Sequence, residues 1–304
     1  MPLRLFAIFV LLLNGSALAD SSSPLLAAYY DRQMAIIDGV AQGWEDDGPP
    51  RKIQAAARQV AVGRSAYYVL GDNRVLNRYR CANAQPAIVA RDVVKFAAGR
   101  SGVLTIWTDR SLWWHADGDA GGQRIAEGMI DAAVGDGANY YVTAKGDLLF
   151  KGLAHRGQHG NSRLTETTDY VRTATGAASV YAHTGHALYL ARNGDVMGTG
   201  GIIYGPVGRH GLGDKAVRWS LLVSGASAVA TGLSHSHAIL ADGTLMVWGR
   251  EYGPDPKPMM SGVAAVAVAT GLSLAIKTDG SIWQWDRGEK SWRVTLPGEI
   301  QGAK

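Results

Sequence analysis

A tight polar turn followed by a short apolar run recurs seven times along this chain. Its clearest copies are Ala241-Asp242-Gly243-Thr244-Leu245-Met246-Val247-Trp248-Gly249 and Thr278-Asp279-Gly280-Ser281-Ile282-Trp283-Gln284-Trp285. A unit this small cannot bury its own apolar face and must stack on its neighbours, so the period constrains the architecture more than any single residue does. The turn position falls at Gly39, Asn73, Arg110, Gly146, Gly194, Gly243 and Gly280, with successive spacings of 34, 37, 36, 48, 49 and 37 residues. A second element, a small residue plus glycine ahead of an apolar run, recurs at Gly63, Gly99, Gly135, Gly185, Gly232 and Gly271. The first unit lacks it, as though the chain enters that unit midway.

Each unit reads as strand, turn, strand. In the sixth copy residues 236–240 and 244–248 flank Asp242-Gly243, and the Asp-Gly and Asn-Gly pairs at 38–39, 193–194, 242–243 and 279–280 suit the positive φ of a two-residue type I′ turn. A helical solenoid fits poorly, because outside residues 30–43 no stretch of the chain past its first 19 residues holds a helical apolar period for three turns. Seven sheets of about 35 to 50 residues each predict an all-β fold, a seven-bladed β-propeller. A single domain is expected over residues 30–304, with the segment 27–44 completing a sheet with strands near 283–294 as a clasp that removes free edges.

The run from Ala230 to Gly249, Ala-Thr-Gly-Leu-Ser-His-Ser-His-Ala-Ile-Leu-Ala-Asp-Gly-Thr-Leu-Met-Val-Trp-Gly, resembles the repeat of the regulator of chromosome condensation type, the RCC1-like seven-bladed propeller. Arg156-Gly157-Gln158-His159-Gly160-Asn161 and the glycine-rich stretch 204–214 are similar to the loops that follow Trp-Gly in that family. The resemblance spans about residues 30–292 and is strongest in the last four units. It departs from the family pattern where Asn73 and Arg110 replace the turn glycine, and where the tryptophan five residues after the turn survives only as Trp44, Trp248 and Trp285. The family includes an exported propeller that inhibits a secreted enzyme by covering its active site. By that precedent the resemblance implies a protein-binding role of inhibitor or immunity type.

Arg4, the apolar run 5–13 and Ser16-Ala17-Leu18-Ala19 ahead of Asp20 have the charge, length and Ala-x-Ala site of a secretory signal peptide over residues 1–19. The expected location is therefore the periplasm or the medium. A membrane anchor is disfavoured, since the run is shorter than the roughly 20 helical residues that cross a bilayer, and no stable membrane insertion is expected. Residues 20–29 read as a short flexible lead.

The formal net charge of +4 falls to +3 once Arg4 leaves with the signal, and the basic residues are dispersed, with Arg287 and Lys290 interleaved with Asp286 and Glu289. Nucleic-acid binding needs a clustered basic face, so nucleic acid is not expected as a partner. The chromatin role and nucleotide-exchange activity of the founding family member are for these reasons not carried over. A lone cysteine, Cys81, excludes an intrachain disulfide and a thiolate zinc cluster, and is expected to pack as a small buried hydrophobe.

Chemistry-bearing residues are better read as structural. Asp38, Asp72, Asp109, Asp242 and Asp279 occupy the same turn in different units, whereas a hydrolytic pair would stand at one place. His235 and His237 lie two apart on one strand face without a third ligand, and His183 with His186 and His155 with His159 fare no better, so no metal is expected. Ser227 and Ser234 lack the closing glycine of a nucleophile elbow, and the glycines from 198 to 213 lack the Lys-Ser/Thr of a phosphate cradle. No cofactor is expected and no catalytic residue is assigned.

What remains is loop surface. The two long intervals insert roughly a dozen residues each, after Phe150 and after Met197. These insertions and matching positions elsewhere give a candidate binding set of Trp114, His155, Arg156, His159, Tyr204, Arg209, His210, Arg250, Tyr252 and Arg287, a composition typical of protein-binding hot spots. The leading expectation is an exported, non-enzymatic propeller that holds another protein on one loop face. The rival is a cell-envelope enzyme acting on glycan or peptide at the axial pocket, drawing on Tyr204, Arg209 and His210.

Overall fold

A computed structural model describes residues 26–29, 32–45, 48–64, 66–81, 84–99, 101–117, 121–201, 205–208, 215–286 and 292–294. It contains seven four-stranded antiparallel sheets, each made of consecutive strands, over residues 26–54, 57–90, 93–126, 129–174, 177–223, 226–260 and 263–293. We number these blades 1 to 7. A cavity of about 290 Å³ is lined by the first strand of every blade, so these strands stand around a common axis and the fourth strands form the rim. The fold is the expected seven-bladed propeller.

The core is divided among the gaps between blades. Seven apolar clusters occur, and each draws on two successive blades: Tyr140 and Phe150 of blade 4 meet Val180 and Tyr189 of blade 5, and Val247 of blade 6 meets Trp285 of blade 7. Both faces of each sheet are thus covered, which explains the near-continuous burial of the second strands, such as Tyr67–Gly71 and His186–Ala191.

Closure differs from the sequence expectation. Blade 1 owns four strands, Leu26–Tyr29, Arg32–Ile37, Val40–Glu45 and Arg51–Gln54, and shares none with blade 7. Its innermost strand lies ahead of residue 30 and within the stretch read as a lead, so the chain does not enter this unit midway. The ring closes through side chains instead. Leu26, Ala35 and Trp44 pack on Ala267, Leu274, Ile282 and Val294, and Trp44 Nε1 donates to Gln284 Oε1 at 3.4 Å.

The turns also differ in type. Asp38 and Gly39 have φ of 50° and 73°, the two-residue turn predicted. In the other six blades the loop has three residues: Gly243 N–H bonds Leu240 O, Leu240 N–H bonds Thr244 O, and only Gly243 has positive φ, a type I turn closed by a left-handed residue. Arg110 fills that position in blade 3 at φ 64°, and in blade 2 it is filled by Arg74 at φ 62°, one residue beyond Asn73. The second repeated glycine is explained by crowding. A Cβ on Gly232 would stand 2.1 Å from Ala269 O in the next blade. In blades 5 and 7 the equivalent residues are His183 and Ala269, two positions before Gly185 and Gly271, because their N–H groups make the matching turn bonds to His186 O and Leu272 O.

Near the start of most first strands the pairing register shifts by one residue, as at Ala57/Gln59 and Met129/Asp131. Such a bulge re-aims the next side chain. Gln59 Nε2 accordingly donates to Phe96 O at 2.7 Å in the next blade. Asp131 takes Lys95 Nζ of blade 3 at 2.8 Å and Val180 N–H of blade 5 at 2.9 Å, linking three blades through one buried carboxylate. Asp131→Ala removes the carboxylate that Lys95 Nζ and Val180 N–H share, and is expected to lower unfolding stability by about 3–5 kcal/mol in urea titration. The double variant Asp131→Leu/Lys95→Met should recover most of the loss; a double variant as unstable as the single one would contradict this role.

Candidate functional site

Antiparallel order gives the ring two ends. One, the turn face, carries the second-to-third strand turns and the connections between blades. The other, the loop face, carries the first-to-second turns and the third-to-fourth loops, including both long insertions.

At the turn face the repeated aspartates do structural work. Asp109 Oδ1 accepts Ser111 N–H at 2.8 Å and its hydroxyl at 2.5 Å, Asp242 Oδ1 accepts Thr244 N–H at 2.9 Å, and Asp279 Oδ1 accepts Ser281 N–H at 2.9 Å. In blade 2 the role belongs to Asn73, which accepts Val75 N–H at 3.1 Å, and not to Asp72. Hydrogen bonds from Ser111 hold the Asp109 carboxyl below its usual range, and those from Thr244 do so for Asp242. Both are therefore fixed anions and poor proton shuttles.

The insertion after blade 4's third strand is folded onto the core. Tyr140 O–H donates to Gln158 O at 2.6 Å, Thr199 O–H of blade 5 donates to Gly157 O at 2.9 Å, and the Thr173 hydroxyl bonds His159 O. Arg218 Nε reaches Ser162 Oγ at 2.8 Å, and Gly160 packs beneath the Trp219 indole where a Cβ would have no room. The described part of the next insertion is held in the same way: Pro206 O accepts Trp248 Nε1–H at 2.8 Å and Ser236 O–H at 2.9 Å, both from blade 6.

This folding sorts the candidate residues. His155, Arg156 and Arg250 are exposed on the loop face. Arg156 lies over Gly185 of blade 5, and Arg250 Nε pairs with Glu251 at 3.4 Å. Trp114 is half-buried against the cluster between blades 3 and 4. Tyr252 is half-buried, and its hydroxyl oxygen accepts Trp285 Nε1–H at 2.8 Å. His159 has no exposed surface and packs on Phe150 with ring centroids 5.0 Å apart, so it is a core residue closed to any partner. Tyr204, Arg209, His210 and Arg287 lie outside the described residues, as do residues 1–25 with the signal sequence. Cys81 is exposed, not buried, because it falls two residues beyond the third strand of blade 2, in a loop-face connection. Among the described residues no helix is long and apolar enough to cross a membrane.

The paired histidines form a buried polar seam between blades 5, 6 and 7. His237 Nδ1 lies 2.7 Å from Ser236 O, so it carries the proton, and Nε2 accepts the Ser273 hydroxyl at 2.8 Å. His235 Nε2 must then donate to Ser273 Oγ at 3.1 Å. The arrangement has the bonds of a serine–histidine pair, yet Ser273, His235 and His237 are each at most 2% exposed, which denies a substrate access. His186 Nε2 bonds Thr231 Oγ1 at 2.6 Å. No group of three or more metal-binding side chains occurs among the described residues.

Burial pushes His183 and His235 down to about 4, His186 to about 3, and His237 well below its ordinary value. A histidine depressed in the fold titrates near 6.5 when unfolded, so the unfolded chain binds more protons between those values. The stability these neutral rings provide is complete above about pH 6.5 and is lost as pH falls toward 4. Urea midpoints should therefore drop steeply from pH 7 to pH 4.5, and His186→Gln should flatten that slope by about one proton's worth; an unchanged slope would contradict the assignment.

No protein-family model matches this chain, and no curated protein matches it either. Solved structures do. Prp20p from Saccharomyces cerevisiae aligns at 16% identity with a TM-score of 0.71, over 82% of this chain and 81% of that chain. The same yeast RCC1 with Kap60 bound gives 15% identity, a TM-score of 0.69, and 80% and 73% coverage. Human WBSCR16 gives 14% identity, a TM-score of 0.70, and 83% and 85% coverage. At such identities the likeness is one of fold, the seven-bladed β-propeller that this chain shares with those proteins.

Proposed function

We propose that this chain is an exported, non-enzymatic propeller that binds another protein across its loop face, as an inhibitor or immunity-type partner. The observation carrying this reading is the pairing of exposed apolar and basic groups with a fixed backbone. Leu153, Leu164 and Leu233 are all exposed on that face, as are His155, Arg156 and Arg250. The loops bearing several of these groups are tied by buried hydrogen bonds to the next blade. A surface already ordered before association loses less entropy on binding, and exposed arginine and leucine on one face suit a protein partner better than a small polar substrate. The fold supports the reading by analogy alone: Prp20p is described with its binding to Gsp1p and histones, and yeast RCC1 with Kap60 bound. Export rests on the sequence of residues 1–19.

The test uses residues 20–304 mixed with envelope and secreted fractions, with any complex isolated by size and its stoichiometry measured. The double variant Leu164→Asp/Arg156→Glu should weaken a stoichiometric complex by at least about tenfold, while Lys145→Glu on the turn face should leave it intact. Loss in the Lys145 variant alone, or turnover of envelope glycan or peptide by the purified protein, would overturn the reading.

A further inference from the structure

The axial channel opens on the loop face as a cavity of about 490 Å³. Its walls are the upper ends of the first strands, which bring only small side chains to the opening: Val62, Ala98, Val134, Ala182, Thr231 and Val268. Six blades thus contribute one residue each, at the last position of the strand.

Above this collar the described part of the rim is polar, and its charged residues stand on opposite sides of the opening. Arg32 and Arg64 belong to blades 1 and 2, which are neighbours; Asp136 and His183 belong to blades 4 and 5, across the ring. Arg32 is oriented by Glu45 at 3.2 Å and by Arg64 O at 3.2 Å, and Arg64 is exposed at the opening. His183 Nδ1 accepts Thr184 N–H at 2.9 Å, so in the neutral ring Nε2 carries the proton and serves as a donor.

These features select a ligand chemistry. A volume of this order suits a small organic molecule. Among the described residues the lining of the opening is aliphatic and polar, with no aromatic side chain to stack on a ring. Cations on one wall and a carboxylate on the opposite wall match a molecule whose own ends carry opposite charges. The small apolar collar between them accepts small side chains, and His183 with Thr184 and Thr231 supplies partners for amide groups.

We propose that the axial mouth binds a short peptide-like zwitterion with small side chains, its carboxylate on Arg32 and Arg64 and its ammonium toward Asp136. The site opens on the same face as the contact proposed above, but it uses other residues and does not depend on that contact.

The test is calorimetric titration of the full domain with Ala-Ala-Ala in three forms: free termini, N-acetylated, and C-amidated. The free form should bind, and amidation or Arg64→Ala should each weaken it at least about tenfold, the scale of one lost charge-assisted contact. Weaker binding of the acetylated form, mirrored by Asp136→Asn, is expected from the ammonium contact; equal binding of the acetylated form would overturn the zwitterion assignment. The proposal is overturned if no form binds at about 10 mM, a concentration beyond the weakest specific affinities, or if binding ignores both amidation and Arg64→Ala. Arg64 is exposed, so its variant should keep the circular dichroism and melting transition of the parent. Leu164→Asp should leave peptide binding unchanged, so failure here and failure of the loop-face reading can be told apart.

Discussion

One hydrogen bond recurs from blade to blade and the rest of the molecule is arranged around it. In five of the seven blades the residue five positions after the left-handed turn residue sends a side-chain donor into the preceding blade. Tyr79 reaches Gln54 at 2.8 Å, Thr199 reaches Gly157 O at 2.9 Å, Trp248 reaches Pro206 O at 2.8 Å and Trp285 reaches the Tyr252 oxygen at 2.8 Å. Trp44 repeats it across the closure, to Gln284. Sheets cannot stand alone with two apolar faces, so the seven clusters bring the blades together, while in blades 1, 2, 5, 6 and 7 these directed bonds fix how the blade meets the one before it. Ring closure needs no shared strand for that reason.

The same bonds shape the loop face. Three of the acceptors, Gly157 O, Pro206 O and the Tyr252 oxygen, lie in third-to-fourth strand loops, so the interaction that joins blades also ties down the segments available to a partner. Long loops ordinarily carry conformational entropy that binding must overcome, and here much of it is already spent in the free protein. What such a loop gains in order it loses in available side chains. Gln158 and His159 are consumed in anchoring, leaving His155, Arg156 and Leu164 outward.

The period was legible in the sequence because turn chemistry is local. Asp-Gly and Asn-Gly mark four of the seven turns, at 38–39, 193–194, 242–243 and 279–280, and the spacing between these and the apolar runs locates the other three. Errors of one or two residues arose where the marker residue was absent or displaced. Arg74 takes the left-handed conformation that glycine holds elsewhere, so Asn73 looked like the turn residue when it is the side-chain acceptor beside it. Gly185 and Gly271 stand in the right motif but not at the crowded point, which only the distance to the next blade reveals. Burial inside a loop was beyond reach for the same reason: nothing near His159 in sequence shows that Phe150, Tyr140 and Thr173 converge on its segment. The exposure of Cys81 and the private strands of blade 1 likewise depend on where neighbouring blades end.

The claim that inter-blade donors pre-order the loop face can be measured by amide hydrogen exchange across residues 154–162 of the free protein. The account predicts that Gly157 and Gly160, whose N–H groups bond Ala154 O and Gly157 O, exchange on the timescale of the sheet amides, and that Thr199→Val speeds them without altering blades 1 to 3. Exchange of this segment at the rate of an unstructured chain in the parent protein, or indifference to Thr199→Val, would contradict it.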